Sequence, residues 1–108
     1  MNSVLDILAI VFLEPKHLVY QANIYIRQGK LEQTERPLGI LLGLAEQPGH
    51  FYEVSRLYAD ANNKTSAYST IEKALLLEPK NQLYLLTQAK LAIDIHSSTS
   101  SKSLIDKL

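Results

Sequence analysis

Three histidines, His17, His50 and His96, are the side chains best suited to proton transfer or metal binding near neutral pH. Their separations of 33 and 46 residues give no HxxxH or HExxH pair, the spacing that sets two imidazoles on one helix face. The chain has no cysteine, so neither a thiolate metal site nor a disulfide framework can form. The serines (Ser3, Ser55 and the run from Ser97) stand in no G-x-S-x-G context that would activate a nucleophile. Gly39 and Gly43 fall within a predicted helix, where close helix contact explains them better than a phosphate loop. The expectation is no catalytic residue, no cofactor and no metal. His17 and His50 occupy one recurring slot near helix starts, which suits a surface or capping role.

Composition narrows the partners. Eleven Lys and Arg balance eleven Asp and Glu, a formal charge of zero that argues against nucleic acid. No apolar run reaches the roughly 20 residues of a membrane span. The stretch Val4–Leu13 has the length of a signal-peptide core, but it contains Asp6, lacks a basic flank and precedes Leu13–Glu14–Pro15–Lys16 rather than a small-residue cleavage site. It reads as a helix capped by Ser3, with Asp6 placed for a capping box. The expected location is cytoplasmic, or periplasmic or exported if the sequence belongs to a longer chain.

The elements are organised around residues 48–81. Phe51, Val54, Ser55 and Tyr58 form one stripe at helical spacing, and Ala67, Ile71, Ala74 and Leu75 form another. Between them Asn62–Asn63–Lys64 supplies a tight turn, because Asn tolerates the left-handed backbone. Two helices with one apolar face each, joined this way, pair antiparallel. Taken together, Phe51, Val54–Ser55, Tyr58, Ala67, Ile71, Ala74 and Pro79 resemble the tetratricopeptide repeat (TPR) signature, with Phe for its tryptophan and Ser for its glycine. The resemblance implies an all-α fold: an α-solenoid of antiparallel helix hairpins, with about six to seven helices in a right-handed superhelix.

Periodicity extends the unit along the chain. Leu18, Phe51 and Leu85 are spaced 33 and 34 residues apart, as are Ala22, Ser55 and Ala89, and Tyr25, Tyr58 and Ala92. Leu-Glu-Pro-Lys at 13–16 recurs at 77–80, which marks 3–13 as a return helix with Ser3, Ile7 and Ile10 in the slots of Ala67, Ile71 and Ala74. One domain over 1–108 is expected, with a partial repeat 3–14, repeats 15–47 and 48–81, and a partial repeat 82–108. A leading helix over 16–28 closes at Gln28–Gly29, and its return helix over 31–46 carries Leu38, Leu41, Leu42 and Ala45 inward. Pro37 makes that helix either start late, capped by Thr34, or bend. Leu85, Ala89 and Ala92 are expected inward on a helix over 81–96. A loop over His96–Ser103 should follow, with Ser101, Ile105 and Leu108 opening another return helix.

In the family, leading helices line a concave groove that holds a partner segment. The resemblance places Val19, Tyr52 and Leu86 in one groove row, Asn23, Arg56 and Lys90 in the next, and Arg27, Asp60 and Asp94 in a third. Apolar and cationic rows side by side suit an amphipathic or acidic peptide; ordinary solvated helix faces are the alternative. Asn23 alone fills its slot in the carboxylate clamp of TPR co-chaperones, and Val19, Glu53, Leu83 and Thr87 occupy the others, which argues against a chaperone-tail clamp. Val4, Leu5, Leu8, Val11 and Phe12 make the first helix apolar nearly all round, a patch that calls for another subunit, a heterologous partner or further repeats to cover it. The expected function is a non-catalytic TPR scaffold binding a protein segment. The alternative is a small TPR-like chaperone of the type III secretion kind, holding an aggregation-prone subunit.

Overall fold

The computed structural model describes residues 14–107, with side chains as far as Ser97. Among these residues all regular structure is helical: α1 (Pro15–Arg27), a 3₁₀ turn (Leu31–Thr34), α2 (Glu35–Leu44), α3 (Pro48–Asp60), α4 (Lys64–Leu77) and α5 (Gln82–Lys107). The all-α class is therefore as expected, with five α-helices in the described part. The helix expected over 3–13, with its Val4, Leu5, Leu8, Val11 and Phe12 patch, lies outside the described residues. The chain divides into two compact units, the first ending at Glu46 and the second beginning at Gln47.

Two backbone devices recur one period apart. Pro15 and Pro48 open α1 and α3, each preceded by an extended residue, Glu14 or Gln47. Proline suits that position because the first helical N–H has no partner and the ring presets φ. At the other end, Gly29 (φ 73°) and Asn62 (φ 62°) take the left-handed conformation. Lys30 N–H then donates to Tyr25 O at 2.9 Å and Gly29 N–H to Ile26 O at 3.1 Å. Asn63 N–H donates to Tyr58 O at 2.8 Å and Asn62 N–H to Ala59 O at 3.0 Å. Both ends are Schellman motifs, which satisfy carbonyls the helix leaves open. Asn63 Oδ1 then accepts Ser66 N–H at 3.2 Å and caps α4.

In the second unit, α3 and α4 close into a hairpin. Val54, Ser55, Leu57 and Tyr58 are buried against Ala67, Thr70, Ile71 and Ala74. Ser55 Oγ donates to Ala67 O at 2.8 Å, so the small slot marks a close helix crossing. Thr70 Oγ1 returns its proton to Ser66 O at 2.7 Å, and no buried side-chain polar atom among the described residues lacks a partner. In the first unit Leu18 and Ala22 of α1 are buried, as are Leu38 and Leu41 of α2.

Four expectations need correction. Thr34 does not cap α2; it has helical backbone and its hydroxyl donates to Leu31 O inside the 3₁₀ turn. Of the two alternatives at Pro37, the late start holds: the proline lies buried in the first turn of α2, where its missing N–H costs nothing. Gly39 and Gly43 are exposed, and among the described residues nothing lies within 4 Å of where a Cβ would stand, so they mark no close contact. The loop over His96–Ser103 is absent, since α5 runs unbroken through it. His96 stands one period after Asn62, and neither Gly nor Asn is there to take the left-handed stop.

The fourth correction concerns the inward face of α5. Leu85 is 39% exposed, and Ala89 and Ala92 are exposed as well. Tyr84 and Leu91 are buried instead, at 7% and 5%. With no turn at His96, no helix among the described residues covers the Leu85 face, and α5 packs on α4 through the adjacent face.

Candidate interaction face

The expected groove residues fall in both units. Val19 and Asn23 are half-buried on α1, with Arg27 exposed in its last turn. The remaining six lie in the second unit, Asp60 exposed at the end of α3. On α3, Tyr52 is half-buried and Arg56, one turn on, is exposed; on α5, Leu86 is 54% exposed and Lys90 is exposed.

Within the second unit, a ring contact joins the two leading helices. The Tyr52 and Tyr84 rings stack with centroids 5.4 Å apart and planes 29° from parallel. Such a pair contributes about 0.5–1.5 kcal/mol beyond the area it buries. Tyr84 is held near the start of α5, where Asn81 Oδ1 accepts its backbone N–H at 3.2 Å. Burial raises the pKa of the Tyr84 hydroxyl above the ordinary phenol value, with the Glu78 carboxylate and Tyr52 adding to the shift. The Tyr84 hydroxyl therefore keeps its proton across the physiological range. Arg56 lies one turn along α3 from Tyr52, whereas Leu86, two residues after Tyr84, lies on a different face of α5.

Sequence reasoning missed Tyr84 and placed Leu86 in its row. Leu83–Tyr84–Leu85–Leu86 is apolar at four successive positions, so helical spacing cannot select which face is covered. Asp94, expected in the third groove row, pairs with Lys64 of α4 at 3.7 Å. Both groups are more than a third exposed, so the bridge contributes about 0–1 kcal/mol. It ties Asp94 of α5 to Lys64 at the start of α4.

His17 Nε2 lies 3.8 Å from Glu14 Oε2 at the start of α1, and His50 and His96 are exposed. Among the described residues no group of three His, Cys, Asp or Glu side chains could hold a metal ion, and no helix is long and apolar enough to cross a membrane. No protein-family model matches the chain, and no curated protein or solved structure matches it either.

Proposed function

We propose that the chain is a non-catalytic protein-interaction module, a TPR-like solenoid that holds a peptide or helix of a partner protein on its leading helices. The observation that carries this reading is the pairing of α3 and α5 through Tyr52 and Tyr84, together with Arg56 exposed one turn from Tyr52 on α3 and Leu86 and Lys90 exposed one turn apart on α5. The half-buried Tyr52 ring, held in place by the stack on Tyr84, gives a partner side chain a rigid apolar contact at little entropic cost, and arginine and aromatic side chains dominate binding hot spots. The two cations add charge-assisted hydrogen bonds to carboxylates. An acidic amphipathic segment is the occupant this chemistry favours.

The test is affinity capture, followed by fluorescence anisotropy with a labelled segment of the captured partner. The double charge reversal Arg56→Glu with Lys90→Glu lowers affinity about tenfold or more, mainly through slower association, and steepens with falling salt. Unchanged affinity removes this face from the binding surface. The breadth of apolar surface on α5, where Leu83, Leu86 and Ile93 are 49%, 54% and 64% exposed, favours a second reading as a small chaperone for an aggregation-prone subunit. Co-expression separates the two, because a chaperone of that kind is rescued from insolubility by its client, whereas a scaffold is soluble without one.

A further inference from the structure

Helix α5 carries a second apolar stripe, set apart from the face that packs on α4. Leu83, Leu86 and Ile93 are 49%, 54% and 64% exposed, and with the exposed Lys90 they follow one another at intervals of three, four and three residues. That is the a-d-a-d spacing of a heptad seam, the pattern by which one helix takes another along its length. Tyr84 and Leu91, the buried pair, lie on a different face. Helix α5 runs unbroken from Gln82 to Lys107, so it does not turn away where the stripe ends.

The charge within the stripe selects its occupant. Lys90 stands at an a position between Leu86 and Ile93 and makes no ion pair among the described residues. A helix laid over the stripe takes that ammonium out of water, which is costly unless a carboxylate meets it. A second copy of α5 is poorly suited to supply one. Between Gln82 and Ser97 the sole carboxylate is Asp94, which already faces Lys64 at 3.7 Å. A parallel copy sets Lys90 against Lys90, and an antiparallel copy sets it against Leu86. An extended segment does not suit the stripe either, because the backbone groups inside a helix are already paired and offer a strand no ladder. Resting on the interaction reading above, we infer that the partner segment is an amphipathic α-helix packed along α5 in heptad register. Its apolar residues meet Leu83, Leu86 and Ile93, and a Glu or Asp between them meets Lys90.

Fluorescence anisotropy of the full chain with labelled three-heptad peptides tests this. The acidic probe has Leu at its a and d positions, with Glu replacing the central a residue, or the central d residue for the antiparallel orientation; the matched probe has Lys there. The acidic probe is expected to bind about tenfold or more tightly than the lysine probe, and Lys90→Glu is expected to reverse that order. Leu86→Glu, at an exposed position, is expected to weaken both probes about tenfold or more. An acidic probe interrupted by proline cannot form the helix and is expected to bind at least about tenfold more weakly. Equal affinity for the Glu and Lys probes overturns the proposal, as does an order that Lys90→Glu leaves unchanged or binding that Leu86→Glu does not weaken. A proline probe that binds as well as the helical one also overturns it; if Arg56→Glu still weakens that probe, the occupant is an extended acidic segment and the interaction reading survives. If no probe responds to Arg56→Glu or to Lys90→Glu, both readings fall.

Discussion

Helices α3 and α5 carry the same slots yet end in opposite states. Ser55 is fully buried, while Ala89, in the equivalent slot, faces solvent. The difference lies after the helix rather than in it. Asn62 turns the backbone left-handed and sends α4 back over α3, whereas at His96 the helix continues to Lys107. A slot's residue type prepares a surface, and a left-handed stop decides whether the chain itself covers that surface.

The sharpest way to break this comparison is a matched truncation. Ile71→Ala empties a fully buried site in the closed hairpin and is expected to cost about 2–5 kcal/mol in urea unfolding. Leu85→Ala, on the uncovered face, is expected to cost about 0.5 kcal/mol or less at a concentration where the chain is monomeric. Equal losses would mean that the two faces are covered alike. At the stop itself, Asn62→Ala forces a Cβ-bearing residue without a compensating side-chain amide into the left-handed region and is expected to cost about 1–2 kcal/mol.

Much of the closed hairpin was legible because its slots alternate with polar residues, so only one face of each helix could be apolar. Ala67, Ile71 and Ala74 read inward on α4, and Val54, Ser55 and Tyr58 on α3, and all six are buried. Asn62 was legible for the same kind of reason, since few residues accept its backbone conformation. The face of α5 was not, because Leu83–Tyr84–Leu85–Leu86 and Leu91–Ala92–Ile93 are continuous apolar runs in which neighbouring faces look alike. The glycines of α2 misled differently: a Gly-x-x-x-Gly spacing fits close packing, but spacing does not show whether a second helix is there.

Smaller effects sharpen the contrast further. Ser55→Ala deletes the Ser55–Ala67 hydrogen bond and is expected to cost about 1 kcal/mol, while Ala89→Ser changes stability by no more than a few tenths. Gly43→Ala is expected to stabilise α2 by up to about 1 kcal/mol, because helix propensity improves and no neighbour meets the added methyl. A loss there would restore the close-contact reading. Tyr84 supplies the mildest probe. Its folded-state pKa is raised, so above about pH 10 the folded chain holds a proton the unfolded chain has released. That part of the stability is complete below the unfolded value and is lost as pH rises through the folded one. Tyr84→Phe should therefore flatten the alkaline end of a melting-temperature profile relative to the parent.

The chain has no cysteine of its own, so one thiol at a time can report on each slot. Ser55→Cys and Ala89→Cys, labelled with a thiol reagent at low micromolar protein, compare the two equivalent positions directly. The Ala89 variant is expected to react at the rate of an exposed thiol, and the Ser55 variant at least roughly a hundredfold slower, because labelling must wait for the hairpin to open. Equal rates at the two positions would contradict the account.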